Sequence, residues 1–132
     1  MYHRDAIKAY QEAEQDFLVE GADPHGLVQI LYSELIQSLD RTHLAIDQKD
    51  FAGRATHITK VLSILHVLAS SLDFDKGGDV AISLSRLYEW ARRRVIEASR
   101  ENMLSPIEDV RKAIADIAEA WSTIGQKDPR AA

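Results

Sequence analysis

The stretch SPIEDVRKAIADIAEAWSTIG, residues 105–125, decides the fold. Ile107, Val110, Ile114, Ile117, Trp121 and Ile124 recur in it at alternating three- and four-residue steps, which places their side chains on one seam of a helix. A seam of that period packs along neighbouring helices at a shallow angle. The same stretch marks its own start: Ser105 stands as a cap, Pro106 sits at the first helical position, and Glu108 is placed to close a capping box. Gly125 is expected to end the helix, with residues 126–132 as a polar, disordered tail. A helix that is apolar along one seam and polar elsewhere needs other helices to cover it.

The rest of the chain supplies them. Asp23-Pro24 gives a start signal for a helix over about 24–47, with Leu27, Leu31, Leu35, Leu39 and Ile46 as its inward stripe. Asp50 is a candidate cap for a helix over about 50–72, built on Ile58, Val61, Leu62, Leu65, Leu68 and Leu72. Asp73 to Asp79, with its Gly77-Gly78 pair among charged residues, reads as a loop. Val80, Leu84, Leu87, Tyr88, Ala91, Val95 and Ala98 then mark a helix over about 79–100, and the closing helix spans about 106–124. Upstream, Ala6, Ile7, Tyr10, Ala13 and Phe17 predict a short amphipathic helix over about 5–19, ended by Gly21. The expectation is an all-α fold: one domain over residues 1–125, an antiparallel up-and-down four-helix bundle with an additional short N-terminal helix.

Composition agrees with helices and narrows the chemistry. The 132 residues include six glycines, three prolines and 45% hydrophobic residues, a balance that disfavours a turn-rich β fold. There is no cysteine, which excludes a disulfide framework, a thiolate zinc site and a cysteine nucleophile. The net charge of -5 argues against wholesale binding to nucleic-acid phosphates. The opening residues lack the unbroken apolar run of a signal peptide, and no stretch approaches the ~20 apolar residues of a membrane span. A cytosolic protein without membrane insertion is therefore expected.

Catalytic signatures are missing. The sequence contains no phosphate-binding glycine loop, no G-x-S-x-G elbow, no H-E-x-x-H, no E-x-x-H pair of the di-iron type, and no arginine followed at four to six residues by the histidine of a helical ribonuclease. His25, His43, His57 and His66 are not spaced four apart, and Asp40 with His43 is a lone pair, so no metal ligand and no cofactor are assigned. Arg92, Arg93 and Arg94 splay by about 100° each around a helix and cannot all face one groove. With Glu89 and Glu97 four residues either side of Arg93, they read as a solvated, ion-paired face. The expectation is a protein that is not an enzyme.

What stands out is a surplus of apolar residues. Val28, Ile30, Tyr32 and Ile36 widen the arc of the 24–47 helix, and Ile64 and Val67 do the same for the next. Either these residues pack under the N-terminal helix, or they build a groove that accepts amphipathic helices of a partner. Both hold by turns if the N-terminal segment covers the groove when it is empty.

In the order and spacing of its short motifs the chain resembles the FliS family over roughly residues 2–124. Ala6-Ile7-Lys8-Ala9-Tyr10 is similar to the family's opening, and Asp23-Pro24-His25-Gly26-Leu27-Val28 with Leu31-Tyr32 to its S-P-x-x-L-I…L-Y/F segment. Ser71-Leu72-Asp73, Gly77-Gly78-Asp79-Val80-Ala81, Leu84, Leu87-Tyr88, Arg93-Arg94 and Ala98 follow its S-L-D…G-G-E-I-A…L-x-x-L-Y…R-R-L-x-x-A run, and Ala120-Trp121 also fits. Ser33-Glu34, Ser83 and Ser99 depart from the family pattern.

The resemblance implies a flagellin export chaperone. Such a protein binds the disordered C-terminal segment of flagellin in the cytosol, prevents its premature polymerisation and delivers it to a component of the flagellar export gate. Residues expected to contribute to the client surface are Ile7, Tyr10, Leu31, Tyr32, Ile64, Leu68, Leu84, Leu87, Tyr88 and Ala91. Leu31, Leu84 and Leu87 read more readily as core than as client surface. A monomer or weak homodimer is expected, and the alternative is a generic helical scaffold that assembles through the seam from Ile107 to Ile124.

Overall fold

The computed structural model describes residues 24–127. The expected N-terminal helix over 5–19, with Ile7, Tyr10 and Gly21, lies outside the described residues, as do the Asp23 cap and residues 128–132. Four helices and no strand occur among the described residues: α1 (Pro24–Asp47), α2 (Phe51–Ser70), α3 (Phe74–Glu101) and α4 (Ser105–Lys127).

The ends of the helices follow local chemistry. Pro24 opens α1, where a missing N–H costs nothing. The Asp50 carboxylate caps α2 by accepting the Gly53 N–H at 3.0 Å, and a Cβ at Gly53 would collide with that carboxylate. Asn102 closes α3 in the left-handed conformation (φ 53), with its backbone N–H donating to the Ala98 carbonyl.

Three boundaries differ from those the sequence predicts. Asp73 accepts the Lys76 N–H at 3.0 Å and so starts α3 at Phe74, inside the expected loop. The glycine pair marks a break within the helix, since Gly78 takes φ 50, ψ -124, a conformation that favours glycine. At α4 the first helical carbonyl is that of Leu104, which accepts the Glu108 N–H at 3.1 Å. Ser105 is thus already helical, and the Glu108 side chain turns to His43 rather than back to a capping box. The helix then continues through Gly125 to Lys127, because one glycine costs only about 1 kcal/mol and Gln126 and Lys127 are good helix formers.

Each helix packs on two others: α1 on α2 and α4, and α3 on α2 and α4. One end of the molecule gathers the start of α1, the end of α2, the start of α3 and the end of α4 around a single cleft. At the other end, late α1 meets early α4 through Asp40–Arg111 and His43–Glu108, and early α2 meets the end of α3 through Arg54–Asn102. This arrangement is consistent with an up-and-down bundle.

Leu35 and Leu39, Val61 and Leu65, Val95 and Ala98, and Ile107, Val110 and Ile114 form a core shared by all four helices. The seam read from residues 105–125 is therefore spent inside the bundle over Ile107, Val110 and Ile114, while Ile124 emerges at 57% exposure. Ala91 and Ala98 of α3 are fully buried in this core. The buried hydroxyls of Ser38 and Thr42 donate to the carbonyls of Glu34 and Ser38 at 2.9 and 2.8 Å, so neither is left unpaired.

Candidate functional site

At the end of the bundle where α1 and α3 begin, an apolar cleft of about 310 Å³ opens to the surface. Val28 and Tyr32 of α1, Leu68 and the following Leu72, Ala81, Leu84 and Tyr88 of α3, and Trp121 of α4 line it, with Ser71, Asp73, Lys76, Gly77 and Val80 around them. On α3 the lining positions 80, 81, 84 and 88, all beyond the Gly78 break, fall at helical spacing, so they form one stripe along the helix.

Trp121 fixes one wall. Its indole N–H donates to the His25 carbonyl at 2.9 Å, and its ring stacks on the His25 imidazole at 4.7 Å with 7° between the planes. Edge-on contact with Tyr32, at 6.4 Å and 84°, completes its setting. The start of α1 is thereby tied to the end of α4. Below, the hydroxyls of Tyr32 and Tyr88 meet across the bundle at 2.7 Å, and both tyrosines are buried. Burial raises the pKa of Tyr32, against an opposing hydrogen bond from Tyr88. Burial also raises that of Tyr88, reinforced by the charge that Tyr32 would carry and by the hydrogen bond. Both phenols stay neutral.

A larger cleft of about 430 Å³ lies between α1 and α4 near the other end, but its character is different. Arg111 donates to Asp40 at 2.6 Å and His43 pairs with Glu108 at 3.1 Å across it, so its charged groups are engaged with one another. The arginine triplet is likewise engaged: Arg92 and Arg93 bond Glu89, and Arg94 bonds Glu97 and, across to α4, Asp109. Glu89 is held down to about 2 by the hydrogen bonds from Arg92 first and Arg93 second. Among the described residues, no group of three or more histidine or acidic side chains could hold a metal ion, and no helix is long and apolar enough to cross a membrane. The smaller cleft is the candidate site, because its lining is the more apolar of the two and is drawn from all four helices.

Of the ten residues named from sequence, Tyr32, Leu68, Leu84 and Tyr88 converge on this cleft. Leu31, Ile64 and Ala91 are buried in the core without lining it, and Leu87 is half-buried outside it. Ile7 and Tyr10 lie outside the described residues. The sequence places Leu72, Val80 and Trp121 on apolar stripes, Val28 on the surplus arc of α1 and Ala81 only within a family motif, and singles out none of them as a site residue. The signal available for Val80 and Ala81 was their place directly after the glycine break, where a helix begins again with its face still open.

A model of the family described as flagellar protein FliS matches residues 6–128 of the chain. The chain is 34% identical to the flagellar secretion chaperone FliS of Salmonella typhimurium over 96% of its own length and 95% of the relative's. It is 30% identical to the flagellar secretion chaperone FliSB of Pseudomonas aeruginosa, over 94% of this chain and 98% of that one. The flagellar secretion chaperone FliS of Vibrio cholerae is also 30% identical, with 92% and 89% covered.

Proposed function

The chain belongs to the FliS family of flagellar proteins, and from that premise we propose that it is a flagellar secretion chaperone whose client is the C-terminal segment of flagellin. The observation that carries this reading is the apolar cleft between the starts of α1 and α3, with its stripe of anchors at helical spacing along α3. A disordered segment that carries apolar stripes meant for a filament exposes them in the cytosol, and a groove that buries them prevents early association. Ordering such a segment is costly, so affinity requires apolar contact over more than one helix of the chaperone. Val80 at the cleft, 64% exposed, and Phe74 and Ile124 on the helices that form it, 51% and 57% exposed, offer such surface.

On this reading the bundle, completed by a short N-terminal helix that carries Ile7 and Tyr10, works in the cytosol as a monomer or weak homodimer. It hands its client to a component of the flagellar export gate. Holding and release of a segment involve no bond chemistry, and the role is not enzymatic. The scaffold alternative relied on the seam from Ile107 to Ile124, and most of that seam is consumed by the bundle's own core.

Calorimetric titration with a peptide of the last roughly 40 residues of the same organism's flagellin, against an N-terminal flagellin peptide, tests the reading. Near-stoichiometric binding confined to the C-terminal peptide, with a large negative heat-capacity change, is expected. Silence at high micromolar concentration would overturn it.

A further inference from the structure

Among the described residues α4 contributes one side chain to the cleft, the half-buried Trp121. An indole on a helix surface has several rotamers open to it, and a partner that needs one of them must itself immobilise the ring. Here three contacts fix it in advance. The fully buried Tyr32 ring stands at 84° to it with centroids 6.4 Å apart, the His25 imidazole stacks on it at 4.7 Å and 7°, and the His25 carbonyl accepts its N–H at 2.9 Å. The last of these also satisfies the ring's polar atom, so that Trp121 offers the cleft hydrocarbon surface. Two of the three contacts come from His25, which does not itself line the cleft.

Resting on the client reading above, we propose that His25 is a positioning residue for client binding: stacked on Trp121, its imidazole holds the indole in the orientation that walls the cleft. Client affinity then depends on a side chain that acts through Trp121, 96 residues away in sequence. The two contributions of His25 are separable. The carbonyl that takes the indole N–H belongs to the backbone, so replacing the side chain leaves that acceptor in place. The stack requires a flat ring rather than a titratable one, so another aromatic side chain can stand in for the imidazole.

The test is His25→Ala beside His25→Phe in the full chain, each titrated with the C-terminal flagellin peptide and each followed, free of peptide, through the indole N–H resonances of its two tryptophans. Trp90, 38% exposed on α3 and outside the cleft, is the internal reference. His25→Ala is expected to bind about threefold to tenfold more weakly, because the client must now immobilise the indole itself. Its Trp121 resonance shifts or broadens while that of Trp90 stays in place. His25→Phe brings affinity back to within about twofold of the parent and restores the Trp121 resonance, since the stack is rebuilt. Parental affinity in His25→Ala, a loss that His25→Phe does not restore, or a Trp121 resonance that does not move overturns the proposal and leaves the client reading standing. A parent chain that does not bind the peptide overturns both.

Discussion

Val80 lines the cleft with 64% of its surface exposed, so it separates what the fold needs from what a client would use. Full burial of a valine side chain contributes about 1.5–3 kcal/mol, of which the free protein draws on roughly a third. Val80→Asp therefore costs the fold no more than about 1 kcal/mol, the more so as an acid just after the Gly78 break lies in a favourable helix-dipole position. A client that covers the remaining surface gains about 1–2 kcal/mol there. With aspartate the gain is forfeited and a carboxylate must also be desolvated, so binding weakens by at least about 2 kcal/mol, roughly thirtyfold. Leu35→Ala is the control. Leu35 is fully buried in the core, and its truncation costs about 2–5 kcal/mol of stability with a fall of about 10 °C or more in Tm. Scanning calorimetry and titration on the two variants read both quantities. Parental affinity in Val80→Asp would refute the assignment of the cleft, and a fall in Tm to match Leu35→Ala would show that Val80 is structural.

Gly78→Ala is expected to destabilise the bundle by about 1–3 kcal/mol in chemical denaturation although no atom stands within 4 Å of the added methyl, because its backbone conformation is one that side chains resist. An unchanged midpoint would mean that α3 runs through without the break. Glu89 should titrate near 2 rather than at the ordinary value of 4.5. Its depressed pKa means that its contribution to stability is complete above 4.5 and is lost as pH falls from there through about 2. Glu89→Gln then flattens the acid limb of the stability profile slightly, and carboxyl chemical shifts that place Glu89 near 4.5 would contradict the Arg92 and Arg93 bonds.

The helical architecture was legible because its signals are local. The 105–125 seam is read directly into the core by Ile107, Val110 and Ile114, and Asp50 caps α2 as its position suggested. The surplus apolar arcs of α1 and α2 were harder to interpret. Each of these helices packs on two neighbours, so Ile64 and Val67 are buried in the bundle, and only part of the surplus, Val28 and Tyr32, borders the cleft. A wide stripe cannot tell a second core contact from a binding face. The glycine pair was read as a loop because composition does not show that Asp73 can cap a turn ahead of it. The tyrosine pair was invisible for a different reason: its members are 56 residues apart, and only the folded bundle brings their hydroxyls together.

Hydrogen exchange of the full chain, with and without the C-terminal flagellin segment, tests most directly whether the cleft is the client site. The account predicts that binding slows exchange over residues 71–84, at the start of α1 and around Trp121. Protection confined to the α1–α4 face around Asp40 and Arg111, or none in a demonstrably bound complex, would contradict it.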